Sequence, residues 1–308
     1  MPVIAPRAGS PPVVVAPPTC DVSVVLPCYR SAPLAMRSVA ELRAYLTAAP
    51  FSWEIVVVDD GGGDFPPGVW DDDDRVHLIR FEENRGKGAA VVAGMLAAGG
   101  RVRVFTDVDL PYSLELIPVI ASYIRDYGFH LVIGDRTLPT SSYREDVGWK
   151  RRLLSAVSST FIGSIVTGGF FDTQCGLKGM RGDVADAVLG RLQIERFAFD
   201  VELVYVALLH RADIKRIPVQ LERNETSSVR LFRDSARAIT DVLLIKWHQL
   251  RRRYDSAELT DILLADHAAV RAVVAAGAAS ERECHPAVAR SERQHSGAGA
   301  PGREDSFT

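Results

Sequence analysis

Between Asp21 and Gly134 short, β-branched apolar runs alternate with segments of helical periodicity, and that alternation limits the fold more than any other feature of the chain. The runs are Val22–Leu26, Glu54–Val58, Val76–Phe81, Val102–Thr106 and Leu131–Ile133, each rich in Val and Ile and bounded by Pro, Gly or Asp. Their length and composition suit strands better than buried helices. Between them, Leu34–Leu46, Gly88–Ala98 and Leu114–Tyr127 place apolar residues at helical spacing. Strands alternating with helices predict an α/β domain with a mostly parallel central sheet covered on both faces. Ligands of such sheets bind outside the carboxyl ends of the strands, so those ends are where chemistry is expected.

Three of the ends carry suitable residues. Pro27-Cys28-Tyr29 closes the first run, Asp59-Asp60-Gly61-Gly62-Gly63-Asp64 the second, and Asp107-Val108-Asp109 the fourth. Two carboxylates pointing into a cleft repel one another and want a cation. Hard oxygen ligands with room for waters and phosphates suit Mg²⁺ or Mn²⁺. Asp107 and Asp109 also fit a plainer reading, because strands often end in an Asp that starts a turn or caps a helix. The glycines after Asp59 and Asp60 permit positive φ and close ligand approach. An Asp there can accept hydrogen bonds from a nucleobase or ribose; a plain turn or a phosphate loop is the alternative. The Gly-x-Gly-x-x-Gly fingerprint is absent, which argues against a dinucleotide site.

Asn84-Arg85-Gly86-Lys87-Gly88 opens a helix, either as an anion site built from free N–H groups and Lys87 or as a capped start with a solvated lysine. Asp200 and Glu202, in Phe199-Asp200-Val201-Glu202-Leu203, read as charges favoured at a helix N-terminus or as cleft carboxylates, one of them a general base. Arg136, Arg151, Arg152, Arg230 and Arg233 fall near expected helix ends, as surface charge or as phosphate clamps whose fork geometry fits the anion. Asp71 to Asp74 reads as a solvated acidic loop.

At 308 residues the chain is long enough for one large domain or two small ones, and its net charge of −3 argues against a dedicated nucleic-acid binder. Four scattered cysteines, Cys20, Cys28, Cys175 and Cys284, suit a reducing cytoplasm. Residues 1–20 read as a flexible leader broken by prolines, 21–255 as the folded domain, and 256–308 as a short helix followed by a disordered tail. Within the domain a long helix is expected near Lys150–Val166, another around Asp200–His210, a strand at Ile214–Leu221 and an amphipathic helix from Leu231 to Leu250. Leu153 to Phe171 holds no charged residue, but its Ser, Thr and Gly content suits a buried or interfacial helix better than a membrane span.

Taken together, Val24-Val-Leu-Pro-Cys-Tyr29, Glu54-Ile-Val-Val-Val-Asp-Asp-Gly61, Asn84-Arg-Gly-Lys-Gly88, Thr106-Asp-Val-Asp-Leu110, Ile133-Gly-Asp-Arg136, Asp172-Thr-Gln-Cys-Gly-Leu-Lys178 and Phe199-Asp-Val-Glu202 resemble family 2 inverting glycosyltransferases of the GT-A fold. Within these, the likeness is to the polyprenyl/dolichyl-phosphate glucosyl- and mannosyltransferases, and it runs in order from Asp21 to Trp247. The resemblance implies a single Rossmann-like GT-A domain with C-terminal amphipathic helices. It implies that Pro27 and Tyr29 line the base pocket, that Asp60 with Asp59 recognises the base, and that Lys87 lies near the nucleotide. Asp107 is implied on the ribose or metal, and Asp109 on the metal bridging the diphosphate. Asp172, Gln174 and Cys175 would shape the sugar–acceptor region, Asp200 and Glu202 the acceptor side, and Arg136, Arg152 and Arg230 would grip an acceptor phosphate. The chain departs from the family pattern at Arg30-Ser31, at the Gly62-Gly63 turn and at Asp135.

The implied activity is metal-dependent transfer of a hexose, glucose favoured, from a nucleoside diphosphate sugar, UDP favoured, to a polyprenyl phosphate. The alternatives are the same chemistry on a soluble hydroxyl acceptor and a catalytically silent nucleotide-sugar binding protein. The basic and apolar residues of Val229–Tyr254 suit either peripheral contact with the inner membrane face or packing on the domain. Oligomeric state is open.

Overall fold

The computed structural model of the chain describes residues 18–141, 172–196, 198–221, 240 and 243–266. The five apolar runs form β1 (Cys20–Cys28), β2 (Trp53–Asp59), β3 (Val76–Arg80), β4 (Gly100–Phe105) and β5 (Leu131–Asp135). Between them stand α1 (Ala32–Thr47), α2 (Lys87–Ala97) and α3 (Leu116–Arg125). Then come β6 (Lys178–Arg181), α4 (Gly182–Leu189), α5 (Phe199–Leu209) and β7 (Ile214–Pro218), followed by helical residues 243–250 and 257–266. The helix expected at Lys150–Val166, the uncharged Leu153–Phe171 stretch, Arg152, Arg230, most of the leader and residues 267–308 lie outside the described residues. By its contacts the chain divides into Met1–Thr260, which holds every named element, and Asp261–Thr308, of which the helical residues 261–266 are described.

The strands form one sheet in the order β3-β2-β1-β4-β6-β5-β7. β3, β2, β1 and β4 are parallel neighbours, as are β5 and β7, while β6 runs antiparallel to both β4 and β5. The chain leaves β1 toward β2 on one side and returns to β4 on the other. The order therefore reverses between β1 and β4, and a crevice opens beyond their carboxyl ends. β6 is missing from the expected strands because Lys178-Gly-Met-Arg181 is short and lacks β-branched residues. Its neighbours make it a strand: a Cβ on Gly179 would meet Ile120 Cγ2 at 2.2 Å.

Alternation along the strands sends side chains to two layers. Val22, Val24 and Leu26 of β1 and Ile55 and Val57 of β2 pack with Leu42 and Leu46 of α1, in a cluster that also holds Ile117 and Ile120 of α3. Burying each of these leucines contributes about 1.5–3 kcal/mol. The opposite face takes α2, whose Gly94 rests directly on β1 and β2. A Cβ there would meet Val25 Cγ1 at 2.4 Å and Val58 Cγ2 at 2.8 Å. Among the described residues no helix is long and apolar enough to cross a membrane.

Candidate active site

The glycine-rich turn after β2 is built by its own carboxylates. Asp59 is buried and accepts from Gly62 N at 2.8 Å and Gly63 N at 3.2 Å. Asp60, also buried, accepts from Arg85 N at 2.7 Å, Gly86 N at 2.9 Å and Asn84 Nδ2 at 2.9 Å. Burial pushes the Asp60 carboxyl up, against the opposing pull of the Arg85 and Gly86 N–H groups. Asp64 accepts from Ala32 N at 2.9 Å and so caps α1. Asp59 and Asp60, expected at the base, thus also hold the protein's own loops in place. Asp59 fixes its own glycine turn, and Asp60, through the Arg85 and Gly86 N–H groups and the Asn84 amide, fixes the loop that starts α2. On the neighbouring strand end, Pro27 is half-buried and Tyr29 is 43% exposed, with the Arg30 guanidinium 5.1 Å from its ring centre.

α2 begins at Lys87, and its first turn is docked on the segment before α5. Arg85 pairs with Glu195 at 2.6 Å, and Ala89 N donates to Glu195 O at 2.9 Å. This docking aims Lys87 at the turn after β4, where its ammonium pairs with Asp107 Oδ1 at 2.5 Å. Their side chains are 19% and 35% exposed, open enough for a ligand to reach. Burial alone would lower the Lys87 ammonium, but Asp107 and Asp200 raise it overall, so it stays charged. Asp109 stands half-buried on the same turn, which closes through Leu110 N donating to Asp107 O at 3.0 Å.

Because β6 is antiparallel, its first residue sits opposite the last of β4: Phe105 pairs with Lys178. The Asp172–Lys178 string therefore arrives at the same sheet edge as Asp107. Gly176 lies against that carboxylate, where an added Cβ would stand 2.1 Å from Asp107 Oδ2. Lys178 is fully buried; its Nζ donates to Cys175 O at 2.7 Å and pairs with Asp200 in the first turn of α5. Burial pushes the Asp200 carboxyl up, opposed by Lys178 and Lys87. Asp107, Lys87, Asp200 and Lys178 thus form a chain of alternating charge from the crevice into the core.

Asp172 is held equally firmly. Arg136 donates to it from the backbone at 2.7 Å, from Nε at 2.9 Å and from Nη2 at 2.7 Å. Burial would raise this carboxyl, yet the Arg136 fork holds it below the usual carboxylate range. Arg136, expected at an acceptor phosphate, has its fork on Asp172, while Arg152 and Arg230 lie outside the described residues. Gln174 is exposed between the buried Asp172 and Cys175. Glu202, expected on the acceptor side, is turned into the core. It is fully buried, accepts from Gln193 N and Ile194 N at 2.9 Å each, and takes the Tyr254 hydroxyl at 2.5 Å. A carboxylate turned to satisfy a loop in the core is a structural anchor.

The structure thus brings Tyr29, Lys87, Asp107 and Asp109 to one crevice with Asp200 beneath it, while Asp59, Asp60 and Glu202 accept hydrogen bonds from the protein's own loops. Gly176 and Lys178 went without a role in the sequence reading. Their signal was present, since both belong to the Asp172–Lys178 string, but what a missing Cβ or a buried ammonium does depends on its neighbours. Among the described residues no third His, Cys, Asp or Glu side chain completes a cluster with the Asp107–Asp109 pair. Two carboxylates on an open turn suit Mg²⁺ or Mn²⁺, which take remaining ligands from phosphates and water.

An open, mostly parallel sheet with an Asp-x-Asp turn and a basic helix start at its switch point is the architecture of a GT-A glycosyltransferase. Solved structures share this fold. Glucosyl-3-phosphoglycerate synthase from Mycobacterium tuberculosis, in complex with Mn²⁺, UDP and glucosyl-3-phosphoglycerate, matches with a TM-score of 0.53 at 17% identity, over 73% of this chain and 79% of that one. Mannosyl-3-phosphoglycerate synthase from Rubrobacter xylanophilus matches with a TM-score of 0.51 at 15% identity, over 76% and 75%. The glycosyl transferase family 2 model matches residues 23–189, more than half of the chain, and the chain belongs to that family. Among curated relatives, the human dolichyl-phosphate beta-glucosyltransferase is 27% identical over 249 residues, 76% of this chain and 77% of that protein. The Dictyostelium discoideum enzyme of the same name is 28% identical over 210 residues, 65% and 64% of the two chains. The Drosophila melanogaster one is 31% identical over 208 residues, 62% and 63%. The chain spans just under two thirds of the latter two proteins.

Proposed function

We propose that the chain transfers a hexose, glucose favoured, from a nucleoside diphosphate sugar, UDP favoured, to a polyprenyl phosphate with inversion at the anomeric carbon. One observation carries the choice of acceptor. The candidate bases are already engaged: Asp172 with Arg136, Asp200 with Lys178, and Glu202 with the 193–194 loop and Tyr254. A hydroxyl acceptor needs a carboxylate to take its proton. A phosphate acceptor is ionised at neutral pH and needs positioning instead. The names of the dolichyl-phosphate beta-glucosyltransferase relatives support the same acceptor class and sugar.

On this reading the acceptor phosphate oxygen attacks the anomeric carbon from the face opposite the diphosphate, the carbon–oxygen bond to that diphosphate breaks, and no proton moves. Tyr29 and Pro27 offer the nucleotide base an apolar wall, and Lys87 adds fixed positive charge beside the diphosphate. Asp107 and Asp109 are the residues to hold Mg²⁺ or Mn²⁺, which when bound supplies a Lewis acid for the charge on the leaving diphosphate. Gln174, exposed on the string whose Gly176 lies against Asp107, is assigned to the sugar. The enzyme is assigned to the cytoplasmic side, where it would meet a membrane-borne acceptor. The test is a panel of nucleoside diphosphate sugars offered with a polyprenyl phosphate and scored by product mass. A hexosyl product from UDP-glucose is expected; a product from GDP-mannose alone would overturn the donor assignment, and no lipid product from any donor would overturn the acceptor.

A further inference from the structure

The helix at 243–250 has two apolar faces that point different ways. One is buried: Ile245 and His248 turn inward, and the helix is tied to α5 by Tyr205, which meets Gln249 and accepts from Lys246 Nζ at 3.3 Å. On the other face Leu243, Trp247 and Leu250 recur at i, i+4 and i+7, so they share one stripe. They are 64%, 40% and 84% exposed, and Leu244 beside them is 40% exposed. Exposed leucines scattered singly need no explanation, whereas four large apolar side chains on one helix make an interaction surface. Charge says what kind. Arg251, Arg252 and Arg253 follow the stripe directly, and the guanidinium carbons of Arg251 and Arg253 lie 4.6 and 5.6 Å from the Trp247 ring centre. Residues 243–255 hold four cations, Lys246 and the three arginines, against one carboxylate, Asp255.

We propose that this stripe docks on an anionic lipid bilayer, with Leu243, Leu244, Trp247 and Leu250 entering the acyl boundary and Arg251, Arg252 and Arg253 meeting headgroup phosphates. An amphipathic helix with basic residues beside its apolar stripe binds an interface through both terms. A second copy of the chain is the other apolar occupant. The excess of four cations over one carboxylate in residues 243–255 favours an anionic surface over a second, equally cationic copy. The inference deepens the polyprenyl phosphate reading and rests on it for its purpose, since such an acceptor resides in a bilayer. The site and the stripe are joined through α5, which carries Asp200 in its first turn, Glu202 bonded to Tyr254, and Tyr205 on the docking helix.

The test uses the full chain in flotation assays with vesicles of phosphatidylcholine, alone or mixed with phosphatidylglycerol. The wild type is expected to bind the mixed vesicles at least tenfold better than the neutral ones, with binding that falls as salt is raised. Leu250→Asp, at a largely exposed position, and the triple Arg251→Gln/Arg252→Gln/Arg253→Gln are each expected to lose that binding. Leu250→Asp should also keep transfer to a short-chain, water-soluble polyprenyl phosphate while losing at least tenfold on a long-chain acceptor in vesicles. Two results overturn the proposal: equal or absent binding of the wild type to both vesicles, or a wild-type dimer that Leu250→Asp dissociates. Failure of the wild type to glycosylate the short-chain acceptor would instead overturn the acceptor reading, with the vesicle result standing separately.

Discussion

Gly176 organises the crevice by what it lacks. Its backbone φ is outside the left-handed region, so the requirement is for space: any Cβ would occupy the place of the Asp107 carboxylate. Gly176→Ala should therefore turn Asp107 away from Lys87 while the fold survives. The expected outcome is at least a tenfold drop in kcat/KM, about 1.4 kcal/mol of transition-state stabilisation, with little change in Tm. Steady-state kinetics and thermal melts of the two proteins check it. Asp172 makes a different prediction, about acid. Its folded-state pKa is depressed by Arg136 despite burial, so its stabilisation is complete above the unfolded carboxyl value of about 4 and is lost as pH falls through the folded value. Denaturant titrations across that range should show wild type more stable than Asp172→Asn near neutrality, with the difference closing below about pH 4. A difference that persists in acid would refute the role given to the ion pair.

At the scale of elements, the direction of β6 decides what the site contains. Run parallel, it would have put Lys178 at the far edge of the sheet; antiparallel, it sets Lys178 opposite Phe105 and under α5. Removing that buried ammonium strands Asp200 in the core. Lys178→Met should cost roughly 3–5 kcal/mol of unfolding free energy, read from urea melts. Lys178→Met/Asp200→Leu should recover most of it, because an apolar pair of similar size has no charge to desolvate. No recovery in the double variant would show that the pair does more than neutralise itself. These elements also mark how far the sequence can be read. β1 to β5 and α1 to α3 were legible because each carries its own periodicity and boundary residues. β6 was not, since its four residues are a strand only through Phe105, Ile133 and Ile120 around them. The carboxylates divide likewise. The spacing of Asp107 and Asp109 at a strand end puts both on one exposed turn, whereas the N–H groups that engage Asp60 and Glu202 lie on segments no local pattern names. Asp60 is claimed by residues 24 to 26 positions away. Asp59, by contrast, takes Gly62 N and Gly63 N of its own turn.

On the scale of the whole molecule, the parts answer to one layout. The switch between β1 and β4 opens the crevice, α2 aims a lysine into it, β6 brings the glycine and buried lysine up from below, and α5 connects that floor to the helix at 243–250. Membership of glycosyl transferase family 2 fits this layout, and the engaged state of Asp172, Asp200 and Glu202 points the proposed chemistry toward an acceptor that is already an anion. The most direct measurement is product formation from UDP-glucose and a short-chain polyprenyl phosphate, followed by mass, for the wild type with Mn²⁺, the wild type with chelator, and Asp109→Asn with Mn²⁺. The account predicts a single hexosyl-phosphoryl-lipid product in the first reaction and essentially none in the other two. Undiminished product from Asp109→Asn, or from the chelated enzyme, would contradict it.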